Sequence, residues 1–116
     1  MILWHNPRCS KSRQALELLR DNGVEPILRL YLKDPPTEVE IEEVRRALDV
    51  PPMDMMRRGE RLFKELGLAD ADDAMLLSAM AANPILIERP IAISPAGARI
   101  GRPPEDVLIL LGDGGE

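Results

Sequence analysis

An α/β fold built on a mixed sheet is the class this sequence predicts, and three observations carry it. A short apolar run at residues 1–4, an amphipathic helical pattern after Cys9 and a second apolar run at 26–32 follow one another with short joints. Strand, helix and strand so closely joined make a βαβ unit, whose two strands are parallel. Near the other end, apolar stretches at 91–94 and 98–101 flank Pro95-Ala96-Gly97, the composition of a hairpin loop. Between these two strand-bearing parts, residues 34–84 carry only helical signals. Two parallel strands, an antiparallel hairpin and flanking helices describe a thioredoxin-like fold. The expectation is one domain over 1–116 with an inserted helical subdomain at about 34–84.

Each element has its own local warrant. In the first helix Ala15, Leu16, Leu18 and Leu19 can face a core, and Gly23 stops it as a left-handed C-cap. The second strand is expected over 26–32 despite Arg29. Asp34-Pro35-Pro36 breaks the pattern, and Thr37 with Glu40 forms a capping box ahead of Ile41, Val44 and Leu48. Pro51-Pro52 ends that helix and opens another around 53–58. A short helix at 63–68 closes at Gly67, and Asp72 caps one carrying Leu76, Leu77, Met80 and Ala81. The acid run Glu38, Glu40, Glu42, Glu43 reads as a solvated face. After Pro103-Pro104 a last helix is expected, with Glu105 and Asp106 in its first turn and 107–111 packing inward until Gly112. Residues 113–116 are expected to fray.

Composition narrows the function. A chain of 116 residues can bury one core without staples. A single cysteine excludes an internal disulfide framework. No apolar run reaches membrane-spanning length and no leader pattern is present, so no membrane partner and a cytoplasmic location are expected. A net charge of −5 and three aromatic residues offer neither the cations nor the stacking surface that nucleic acid requires. Met53, Met55 and Met56 are most simply core filler; no cysteine or histidine cluster joins them, and no metal is expected.

The chemistry concentrates on Cys9. It falls where a strand hands over to a helix, and the N–H groups and macrodipole there favour an anion. Arg8, Lys11 and Arg13 surround it, with no acidic residue before Glu17, although the chain as a whole is acidic. Cations of this kind lower a thiol pKa. His5, four residues earlier, can curl round the turn as a hydrogen-bond donor or a second cation. The alternative is a small buried hydrophobe at Cys9 and a capped surface residue at His5. Arg13 is equally suited to a helix ion pair with Glu17 or to a catalytic role. Ser12 stands where a dithiol oxidoreductase of this fold would carry its second cysteine. With no resolving thiol in the chain, turnover must borrow one from outside.

His5-Asn-Pro-Arg-Cys9-Ser-Lys-Ser-Arg13 has the form His-x3-Cys-x3-Arg, and it resembles the glutaredoxin-coupled arsenate reductase family. Tyr31-Leu32 before Pro35-Pro36-Thr37, Met56-Arg57-Arg58, Lys64-Glu65-Leu66-Gly67-Leu68-Ala69, Asn83-Pro84-Ile85-Leu86-Ile87-Glu88-Arg89-Pro90-Ile91 and Ile100-Gly101-Arg102-Pro103 extend the likeness over nearly the whole chain. The resemblance implies that Cys9 attacks arsenate, that glutathione attacks the adduct and that glutaredoxin resolves the mixed disulfide as arsenite leaves. Glutathione is then a co-substrate, and no cofactor is bound. It further implies that Arg57, Arg89 and Arg102 bind the oxyanion, that His5 helps to lower the cysteine pKa, and that Arg89-Pro90 is the cis-proline step before the third strand. Many relatives continue beyond the last helix.

Read without the resemblance, Arg57 is not distinguished from Arg58. Arg89 could pair with Glu88, and Arg102 could simply lead into a helix. Two other functions fit the same fold. One is a glutathione-linked thiol oxidoreductase with another substrate. The other is a regulatory module like the Spx family, which binds RNA polymerase; its redox-sensing members use a Cys-x-x-Cys switch, which Ser12 interrupts here.

Overall fold

The computed structural model describes residues 1–112, so the expected fraying of 113–116 lies outside the described residues. The chain divides into two compact units: Met1–Asp34 together with the segment from Arg89 onward, and Pro35–Glu88.

The first unit holds β1 (Ile2–Trp4), α1 (Ser10–Asp21), β2 (Ile27–Arg29), β3 (Ile91–Ser94), β4 (Gly97–Ile100) and a 3₁₀ helix at Pro104–Leu111. The sheet order is β2-β1-β3-β4. β1 runs parallel to β2 and antiparallel to β3, with Trp4 opposite both Arg29 and Ile91. This is the thioredoxin-like arrangement that the strand pattern predicts. Leu3, Ala15, Leu16, Leu19, Ala92 and Val107 form the buried core. α1 ends in a Schellman motif, in which Gly23 at φ 80° donates to Arg20 and Val24 donates to Leu19.

Three boundaries in this unit differ from expectation. β2 stops at Arg29, not residue 32, because β1 leaves the sheet after His5 donates to the Arg29 carbonyl at 2.9 Å. The Leu30 carbonyl instead accepts the N–H groups of Lys33 and Asp34, and Tyr31 is buried in that turn. Gly97 belongs to β4, opposite Ser94, leaving Pro95-Ala96 as a two-residue loop; its φ of 135° suits glycine alone. The last helix is 3₁₀. Three residues per turn stack Pro104, Val107 and Leu110 on one edge and leave Ile109 55% exposed, so 107–111 does not pack inward throughout.

The second unit is helical: α2 (Glu38–Leu48), α3 (Arg61–Glu65) and α4 (Asp73–Ala82), with 3₁₀ turns at Pro52–Met55, Leu68–Asp70 and Pro84–Leu86. Thr37 accepts from the Glu40 N–H at 3.1 Å and the Glu40 carboxylate accepts from the Thr37 N–H at 2.9 Å, a complete capping box. Ile41, Val44 and Leu48 are buried, and Asp49 ends α2 at φ 58°. α4 packs against α2, and Asp72 caps it by accepting from Met75. Of the helix expected around 53–58, only the 3₁₀ turn at Pro52–Met55 forms. Met56 is extended and bridges Ile87, while Arg57 donates to Leu86 and Glu88 to Met55. Those backbone groups are already satisfied by pairing with the 86–88 segment, which leaves helix propagation nothing to gain. Met55 and Met56 are core residues. The acid run is only partly a solvated face, since Glu42 is bound by Arg45 and Arg46 and its carboxyl is held down to about 2.

No helix among the described residues is long and apolar enough to cross a membrane. No group of three or more His, Cys, Asp or Glu side chains among them is arranged to hold a metal ion.

Candidate active site

The loop between β1 and α1 is tied to the helix it precedes. Asn6 accepts the Arg8 N–H on its side chain at 3.0 Å and the Cys9 N–H on its carbonyl at 3.0 Å. Cys9 is the N-cap of α1: its backbone is extended and its carbonyl accepts the Arg13 N–H, the first helical bond. The thiol thus lies at the positive end of a twelve-residue helix with no acid in the first turn.

Burial pushes the Cys9 thiol up, but the lowering influences together outweigh it. They are the Ser12 N–H, the charge of Arg89, the Lys11 N–H and a hydrogen bond from the Arg89 side chain, and the net shift is downward. No hydrogen bond of full capping geometry reaches the sulfur. The N–H groups of the first turn act on it as a converging field.

His5 and Ser12 are buried, and His5 Nδ1 lies 2.7 Å from Ser12 Oγ. The same hydroxyl accepts the Asn6 N–H at 3.1 Å. Burial first, then the charges of Arg20 and Arg13, hold the His5 imidazole below its ordinary pKa. Both influences favour the neutral ring over a second cation. Arg13 donates to the Pro7 carbonyl at 2.9 Å, so it fastens the loop ahead of the helix.

Sheet register assembles the rest. Because Trp4 pairs with Ile91 and Ile91 with Ile100, the residues just before β3 and just after β4 gather at the end of β1 from which Cys9 departs. The Arg89–Pro90 and Arg102–Pro103 peptides are both cis. Arg102 Nε donates to the Arg89 carbonyl at 3.0 Å, and its Nη2 reaches to 3.9 Å from Cys9 Sγ. Gly101 makes this approach possible. A Cβ there would meet Pro90 Cγ at 2.7 Å and Val107 Cγ1 at 3.2 Å, a crowding that sequence signals did not reveal.

His5, Cys9, Ser12, Arg13, Arg89, Pro90 and Arg102 thus come together within one unit. Arg57 belongs to the helical unit, where its guanidinium pairs with Glu60 at 3.2 Å.

A thioredoxin-like sheet that presents one thiol at a helix N-terminus beside two guanidiniums defines a single-cysteine thiol protein of that fold. More narrowly, the chain belongs to the ArsC family, whose model matches residues 4–110. It is 47% identical to Uncharacterized protein YfgD of Escherichia coli, over 95% of each chain. It is 42% identical to the arsenate reductase of Haemophilus influenzae, covering 96% of this chain and 98% of the relative. An arsenate reductase structure from Vibrio cholerae superposes with a TM-score of 0.93 at 44% identity, over 95% of this chain and 96% of that one.

Proposed function

We propose that this protein is an arsenate reductase in which Cys9 is the nucleophile and Arg89 and Arg102 bind the oxyanion. The observation that carries this is the Arg102 guanidinium 3.9 Å from the Cys9 sulfur, together with Arg89 acting on the same thiol. Arsenate and a thiolate repel each other. Guanidiniums, permanently charged and able to bind two oxygens at once, offset that repulsion and orient the arsenic for attack. The relatives named arsenate reductase support the choice of oxyanion.

In the first step the Cys9 thiolate forms a sulfur–arsenic bond and an arsenate oxygen leaves as water after protonation. Glutathione then attacks the adduct. Two electrons pass to arsenic, which departs as arsenite, and Cys9 remains in a disulfide with glutathione. Glutaredoxin takes the glutathionyl group and restores the thiol. Cys9 is the chain's single cysteine, which supports an external resolving thiol. We also assign Arg57 to oxyanion binding, on the family resemblance alone. The protein acts without a bound cofactor and in the cytoplasm, with glutathione and glutaredoxin as its partners.

Steady-state assays with arsenate, glutathione and glutaredoxin test this. Wild type should turn over and Cys9→Ser should not, whereas Arg57→Ala should weaken turnover. Turnover by Cys9→Ser removes the mechanism. Mixed-disulfide formation with glutathione but no response to arsenate transfers the site to another substrate.

A further inference from the structure

We propose that Ser12 is a positioning residue for Cys9: its buried hydroxyl, held between the Asn6 N–H and His5 Nδ1, locks the first turn of α1 onto the loop and aims the Ser12 N–H at the sulfur. His5 acts through that hydroxyl and not through charge. This rests on Cys9 being the reactive thiol, but its test reads the thiol directly and needs neither arsenate nor glutathione.

Tyr31 aside, His5 and Ser12 are the buried polar residues among those described, and they are bonded to each other. Ser12 is fully buried. It occupies the third position of α1 after the N-cap, and the N–H there is one of the two an N-cap side chain can reach. Fixing residue 12 therefore fixes a donor to Cys9. The hydroxyl does so from both sides, at 3.1 Å from the Asn6 nitrogen and 2.7 Å from the imidazole. Without it, the Asn6 N–H and the ring nitrogen lose their partner in a region largely closed to water, a costly state that shifting the turn would relieve.

The charged groups acting here are Arg89 and Arg102 on Cys9, and Arg13 and Arg20 on His5. None of them contacts the Ser12 hydroxyl, so its removal leaves those charges in place.

The experiment is the pH dependence of Cys9 alkylation by iodoacetamide in wild type, Ser12→Ala, His5→Asn and His5→Ala. Asparagine puts a hydrogen-bonding atom near the place of Nδ1 but cannot become a cation. Ser12→Ala and His5→Ala should raise the apparent pKa by at least about half a unit, slowing alkylation roughly threefold well below the pKa and leaving the high-pH limit unchanged. His5→Asn should recover most of the wild-type profile. An unmoved profile in Ser12→Ala, or a shift in His5→Asn as large as in His5→Ala, overturns the proposal. Should Ser12→Ala fail to fold, the two His5 variants decide. Should those fail as well, NMR titration of the chain's single histidine in wild type decides. An imidazole that titrates below Cys9 upholds the proposal, and one still protonated when the thiol ionises overturns it. Lost arsenate turnover with an unmoved alkylation profile sinks this proposal and leaves the proposed reaction standing.

Discussion

Arg102 donates through Nε to the carbonyl of Arg89 at 3.0 Å, and the same guanidinium carries Nη2 to 3.9 Å from Cys9 Sγ. One side chain thus anchors to the residue before β3 and reaches the thiol. Its forked geometry allows both at once.

A lysine at position 102 supplies charge without the fork. Arg102→Ala should lower kcat/KM for arsenate by roughly 100- to 1,000-fold, the range for losing one fixed donor at a charged transition state. Arg102→Lys should recover less than half of that loss on a logarithmic scale. Full activity in Arg102→Lys would show that charge alone suffices.

The direction of the Cys9 shift fixes a second expectation. Wild-type alkylation should have its midpoint below that of a free thiol measured in the same buffer. Arg89→Ala removes a positive charge, destabilises the thiolate and moves the midpoint up, so alkylation slows at pH 7 and is unchanged at high pH. Because the folded pKa lies below the unfolded one, the ionised thiol stabilises the fold fully above the unfolded value. That contribution fades as pH falls through the folded value. Cys9→Ser should flatten this part of the Tm–pH curve.

Gly101 permits close approach without needing a positive φ. Gly101→Ala should destabilise by about 1–3 kcal/mol, as overpacking does, because its Cβ would meet Pro90 at 2.7 Å. Thermal denaturation measures the loss. Activity should fall further than stability explains, since Pro90 and Arg102 adjoin the same contact.

In the helical unit, Thr37→Ala removes the hydroxyl arm of the capping box, leaves the Glu40 carboxylate on the residue-37 N–H, and should cost about 1 kcal/mol in denaturant unfolding. Alkylation of Cys9 should be unaffected. An altered alkylation profile would show that the two units are coupled.

Where residues close in sequence decide the outcome, the structure follows the sequence. The start of α1 at Cys9, its stop at Gly23, the Thr37–Glu40 box and the Asp72 cap each rest on partners within a few positions. The place of Cys9 at the strand-to-helix step was legible for the same reason: the step and its basic neighbours are adjacent in the chain. The early end of the helix expected at 53–58 was not legible, because Met56 and Arg57 are committed to residues some thirty positions away. Ser12 suggested an absent second thiol, whereas its hydroxyl is what the fold uses.

By itself, then, the sequence determined a βαβ start and a lone cysteine at a helix N-terminus. Only the tertiary structure decided that Arg89 and Arg102 share that thiol, that Arg13 holds a loop and that His5 is a buried ring bonded to Ser12. Local hydrogen bonds and hydrophobic periodicity act over a turn or two of chain. The meeting of residues 9, 89 and 102 depends on strand register, and no short stretch of sequence contains it.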